Sequence, residues 1–214
     1  MTRFLSRKKA EYMTTTVQPA PRSNDSPTGH PPTPARTDGA PATSVVRYIA
    51  GALRLSIGWI FLWAFLDKSL ALGHDTGLDP QTGAIDYFGP AAWIHGGSPT
   101  AGFLGFATKG PLADVYQNLA GNAVIDWLFM LALLGIGVAL ILGIGMRIAA
   151  VSGAALLVMM WTAVLPPANN LFMDDHIVYA LVLVLLALLG AGRTWGLGAR
   201  WEQFPVVRDH AFLQ

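Results

Sequence analysis

Arg54 is the only ionisable residue well inside any of the chain's long apolar runs, in VVRYIAGALRLSIGWIFLWAFLDK, which begins at Val45 and closes with Asp67 and Lys68. In lipid, a charge at such depth costs about 2.5–3.5 kcal/mol on insertion scales. It is expected to face protein, water or a ligand, or to snorkel outward. A guanidinium between helices can donate to backbone carbonyls, to an anionic lipid or to a quinone oxygen. A second polar group gathers at the opposite ends of the runs: Lys68, Asp126, Asp174, Asp175 and His176. These residues could shape an outer-leaflet site for a quinone head group or a small anion. They could equally form interfacial ion pairs that fix helix ends.

Spacing limits what these residues can do together. Arg47, Arg54, Phe61 and Lys68 recur every seven residues, so they share one stripe of a helix. Arg54 and Lys68 lie roughly 21 Å apart along its axis and cannot serve one small ligand. Asp174, Asp175 and His176 are metal-ligand types, but acidic residues at a helix entrance are already favoured as caps. His30 and His210 fall in tails, and His74, His95 and His176 lie outside or at the interface, so no intramembrane histidine pair offers itself to a haem. With no cysteine, the chain supplies no thiolate and no Cys-ligated iron–sulfur cluster. No metal site is read, and a net charge of +1 gives no reason to expect a nucleic-acid partner.

The elements that must position these residues are set by composition. The chain is 53% hydrophobic and 13% charged, and a helix needs about 17–25 apolar residues to span hydrocarbon. Spans are expected near 46–67, 124–144, 147–165 and 175–192. Each is apolar all round, as in a bundle in lipid. The expected fold is all-α, an integral membrane four-helix bundle over residues 45–192 with the lipid bilayer as its surroundings.

Basic residues set the expected orientation. Arg3, Arg7, Lys8, Lys9, Arg22, Arg36 and Arg47 precede or open the first run, Arg147 lies between the second and third, and Arg193, Arg200 and Arg208 follow the fourth. Lys68 and Lys109 stand on the other side, so the positive-inside rule places both termini in the cytoplasm. Trp63, Trp127 and Trp161 fall at the outer ends, in keeping with this topology. Residues 1–44 hold seven prolines and read as a disordered cytoplasmic tail, with Met13 an alternative start. Residues 193–214 read as a short cytoplasmic tail along the inner surface.

The long outer loop, 69–123, is expected to carry structure of its own. PLADVYQNLAG gives a surface helix over 111–120 with Leu112, Val115, Tyr116 and Leu119 on one face. Upstream, DYFGPAAWIHGGSPTAGFLGF is suited to fold back as a lid. Gly135, Gly137, Gly143 and Gly145, with Ala149, Ala150, Gly153 and Ala154, would let helices approach closely.

RLSIGWIFLWAFLDKS, with Arg54, Gly58, Phe61, Trp63 and Lys68, resembles the first helix of the DoxX family, and DDHIVYALVLVLLALLGAGRTWGLGARWEQ resembles its fourth. The likeness covers about residues 45–205, and the long outer loop is nearest to the DoxD-like large subunits of thiosulfate:quinone oxidoreductases. The resemblance implies a multi-pass protein of the bacterial plasma membrane. It also implies a thiosulfate dehydrogenase activity that passes electrons from an outer-side donor to membrane quinone, beside a smaller subunit or soluble redox protein. On that reading Arg54→Ala lowers turnover while the protein stays folded. The alternative is a non-catalytic scaffold or assembly subunit that recruits a soluble redox partner.

Overall fold

Proline-free apolar sequence from Ser44 to Leu70 forms one continuous helix, α1 (Ser44–Leu70). The structure, a computed structural model, describes residues 44–214; the expectations for the proline-rich stretch before them, Met13 included, lie outside the described residues. The other long helices are α3 (Ala123–Leu142), α4 (Met146–Ala163) and α5 (Asp175–Leu188), with a short α2 (Ala113–Gln117) before α3. Among the described residues the chain is helical without a strand; Leu78 and Ile85 form an isolated bridge. Helices α1, α3 and α4 are long and apolar enough to cross a membrane, and α5 is a shorter apolar helix.

Local chemistry fixes the helix ends. The Asn122 side chain accepts from the Val124 amide at 2.9 Å and so caps α3. At the other end Gly143, at φ 71°, returns its amide to Ala139 and Leu140, and α4 begins three residues later. Asp174 caps α5 by accepting from Ile177. The fourth run stops at Leu188 rather than 192 because Gly190, at φ 61°, turns the chain into a 3-10 turn over Ala191–Arg193 that packs against α1. The surface helix is also shorter than expected. A 3-10 turn over Gly110–Leu112 leads into the α-helical residues Ala113–Gln117.

The pairs α1–α3 and α4–α5 pack along their lengths, whereas α3 and α4, though consecutive, meet over less of theirs. Small residues explain the first pair. A Cβ at Gly137 would stand 2.9 Å from the Leu62 nitrogen, and one at Gly58 would stand 2.9 Å from the Leu140 side chain, so larger residues would force α1 and α3 apart. Ile57, Phe61, Met130, Leu133, Leu140, Leu157 and Leu183 join all four long helices in one core. Of the expected small-residue contacts, Gly135 and Gly145 make none: no protein atom outside their immediate chain lies within 4 Å of a Cβ built there.

The segment between α1 and α3 is folded. It includes a 3-10 turn at Trp93–His95 and a π-helical turn at Phe103–Ala107, and the Lys109 amide donates to the Ala163 carbonyl at 2.9 Å. After α5 the chain forms α6 (Gly198–Trp201) and α7 (Pro205–Asp209). The Leu197 amide donates to Leu142 and the Arg147 amide to Gln214, which seats the C-terminal segment on the α3–α4 turn.

Candidate functional site

The Arg54 side chain is fully buried. Its Nη1 donates to the carbonyls of Leu140 and Ile141, and its Nη2 to those of Thr194 and Trp195 at 3.0 and 3.2 Å. Leu140 and Ile141 lie in the last turn of α3, where carbonyls run short of intrahelical donors; Leu140 has the capping Gly143 amide besides Arg54. The macrodipole favours a positive charge there. Backbone crowds the guanidinium: a Cβ at Gly143 would be 3.1 Å from Nη1, and one at Gly196 would be 3.2 Å from Nη2. The charge is thus held at a helix end by four carbonyls, and Nε–H alone is left without a protein partner.

The polar residues grouped with Lys68 are engaged separately, Lys68 and Asp126 by loop residues and Asp174 by the first turn of α5. Lys68 Nζ pairs with the exposed Asp75 at 3.3 Å. Asp126, 6% exposed, receives three hydrogen bonds on Oδ1: from Ser98 Oγ at 3.0 Å, from the Thr100 amide at 3.2 Å and from Thr100 Oγ1 at 2.6 Å. Asp174 caps α5 and also bonds His176 Nδ1 at 2.8 Å. The ligand atoms of Asp174, Asp175 and His176 lie within 4.8 Å of one another. Among the described residues no hydrogen bond or salt bridge joins Lys68 to Asp126, Asp174, Asp175 or His176.

Sequence reasoning named Asp67 only as the neighbour of Lys68. It is 2% exposed, and its carboxylate accepts from the amides of His74, Asp75 and Thr76 at 3.0–3.1 Å, so the chain leaving α1 wraps around it. The signal was the string of backbone donors in LGHDT after a helix end, which a short-range scan cannot tell from any other loop. Farther along, the Thr82 hydroxyl and then the Gln81 and Thr82 amides hold Asp79 below the usual carboxylate range. On the other side of the molecule Glu202 forks onto Arg193, with Nη2 to Oε2 at 2.6 Å, and holds that guanidinium above its ordinary value.

The arrangement best suited to a ligand contains none of those charges. A cavity of about 510 Å³ lies between α3, α4 and the folded loop, within the range of roughly 300–1,000 Å³ common for small-molecule sites. Leu128, Phe129 and Ala132 form one wall, Ala155, Leu156 and Met159 the other, and Pro99, Thr100, Phe103, Leu104 and Tyr116 the roof. Two ties hold the roof down. Asp126 pins Thr100, and the Tyr116 hydroxyl lies 2.6 Å from Thr162 Oγ1 and 3.2 Å from the Met159 carbonyl. Sequence periodicity put Tyr116 on an apolar face with Leu112 and Val115; the structure leaves those two exposed and turns Tyr116 and Leu119 to the cavity. Tyr116→Phe is expected to cost about 1 kcal/mol. Thermal unfolding checks that figure, and faster amide exchange over 109–117 checks that the roof has loosened.

Comparison of the chain with family profiles, with curated proteins and with solved structures returns no match.

Proposed function

We propose that this protein is a membrane-embedded subunit that binds membrane quinone and presents it for reduction by electrons arriving from the outer side. The supporting observation is the apolar, roofed cavity between α3 and α4. Its walls are faces of two helices long enough to cross the bilayer, so a lipid-dissolved ligand can enter sideways without passing through water. Helix α5 completes the proposed four-helix bundle: its 14 residues and the turn after them cross with the help of the loop before it, although about 21 Å of helix alone is less than the roughly 30 Å hydrocarbon layer. Both termini lie in the cytoplasm on this reading, by the distribution of basic residues, and the roofed face is the outer one.

In this role the quinone takes up an electron pair and a proton pair and leaves as quinol. The donor centre belongs to a partner, a smaller subunit or soluble redox protein. Thiosulfate as the ultimate donor, and a bacterial plasma membrane as the setting, come from the resemblance to the DoxX family. Lys68 and Lys109 are the basic residues available on the outer side, and Lys68 is already paired with Asp75. Thiosulfate itself is therefore better received by the partner.

The competing scaffold reading draws on a specific observation: Arg54, Asp67, Asp126 and Asp174 are all engaged by backbone or loop groups. Purification in mild detergent with mass spectrometry of bound lipids and proteins separates the two. Quinone or quinol near one per chain, together with donor-dependent quinone reduction by the reconstituted complex, supports the oxidoreductase. A stoichiometric partner with neither quinone nor quinol and no reduction with any donor sinks it and leaves the scaffold.

A further inference from the structure

The roofed cavity does not end at mid-helix. A second cavity of about 350 Å³ continues down the same α3–α4 seam, shares Ala132 and Ser152 with the first, and closes against Trp201. On α3 the lining residues Ile125, Leu128, Ala132, Gly135 and Ala139 step by three or four, so they form one face. From Ile125 to Ala139 that face runs about 21 Å at 1.5 Å per residue. The matching face of α4 carries Ala149, Ser152 and Ala155. Its floor is made of small side chains, and at Gly135 no protein atom lies within 4 Å of a Cβ position. This is why two consecutive helices joined by a tight turn pack less than their neighbours do.

Width, length and polarity choose the occupant. A seam between two helices takes one extended chain, whereas a two-chain lipid would leave its second chain outside. None of the residues lining either cavity is charged, so a phosphate head group would find no counter-charge and would be left poorly paired. The hydroxyls that do line the cavity are Thr100, Tyr116 and Ser152, and their protons are engaged within the protein. Thr100 donates to Asp126 at 2.6 Å and Ser152 to Ile148 at 2.7 Å. Thr162 donates to Met159 at 2.8 Å, which leaves the Tyr116 proton shared between Thr162 and the Met159 carbonyl. What these oxygens offer a ligand is acceptance, so they suit a head that donates hydrogen bonds.

We propose that the α3–α4 seam is a single-chain groove for a long-chain amphiphile with an uncharged, hydroxyl-bearing head, on the quinone reading the quinol form of the membrane quinone, its head under the roof and its chain along Gly135. The proposal rests on the quinone reading of the roofed cavity, and it makes the site selective for the reduced form and for chain length.

The test uses the full chain in nanodiscs with three probes: a long-chain quinol, the matching quinone, and a short-chain quinol with the same head. Gly135→Leu and the bulkier Gly135→Phe plug the groove at a position where an added Cβ meets no protein atom within 4 Å. Native mass spectrometry and competition binding are expected to show long-chain quinol retained about tenfold over the short-chain quinol, from the added van der Waals contacts of the chain, and several-fold over the matching quinone, whose carbonyls bring no proton to the accepting oxygens. Each plug is expected to remove the chain-length preference and leave short-chain affinity unchanged. Retention indifferent to both plugs overturns the groove. Preference for the quinone, or a phospholipid as the molecule the plugs displace, overturns the occupant. Plug-sensitive retention of long-chain quinol with no quinone reduction by any donor keeps the groove and rejects the oxidoreductase reading.

Discussion

Arg54→Leu is expected to deprive the protein of most of its stable fold, whatever ligand is present. The substitution leaves the carbonyls of Ile141, Thr194 and Trp195 without the donors that reach them, and Leu140 with the Gly143 amide alone. A buried polar group stripped of its partner costs about 1–3 kcal/mol. Groups that share one donor do not add simply, so the expected total is about 3–5 kcal/mol, the scale of breaking one side of a buried ionic contact. Against a total stability of roughly 5–15 kcal/mol that is a large fraction. A fall in midpoint of about 10 °C or more should follow, with new tryptic cleavage at Arg193 and Arg200 as the C-terminal segment leaves the α3–α4 turn. Arg54→Lys keeps the charge but cannot fork to carbonyls on two separate segments, so it should recover only part of the loss. A quinone-holding Arg54 predicts the opposite: a folded, resistant protein with reduced turnover.

The same residue shows what the sequence could and could not disclose. Its place on a stripe with Phe61 follows from spacing, and these two middle members of the stripe do face the core, while Arg47 at its start is exposed. Its partners did not follow. α1 meets α3 through Gly58 against Leu140 and Leu62 against Gly137, which brings Arg54 level with the end of α3 and its carbonyls. Helix existence was equally legible, because apolar runs of this length have few other ways to satisfy their backbone. Their ends moved by a few residues, most at α5, where Gly190 stops the helix early. The candidate site was the least legible part. Asp126 and Asp174 stood out as charges, yet each turns out to hold local backbone or a loop. The groove is formed by what is missing, namely small side chains at Ala132, Gly135 and Ser152 on two helices that diverge. In one sequence that pattern looks the same as close packing.

Asp126→Ala is the second substitution with a large expected effect, and it bears on function rather than on the fold as a whole. Asp126 stands in the first turn of α3, where a carboxylate is favoured by the helix dipole. One of its oxygens gathers the Ser98 hydroxyl, the Thr100 amide and the Thr100 hydroxyl. Removing it strips a buried amide and hydroxyl of their acceptor at the edge of the cavity, for about 2–4 kcal/mol in local terms. The α3 helix keeps its Asn122 cap, so the loss should fall on the roof. Amide exchange should quicken over 98–107 while the cores of α1 and α3 remain protected, and quinone or quinol carried through purification should drop several-fold. Asp126→Asn retains an acceptor oxygen and should restore much of the protection, though without the charge that strengthens these bonds. A roof that stays protected in Asp126→Ala, or ligand retention indifferent to its opening, would mean that the loop only covers the helix ends and is not part of a binding site.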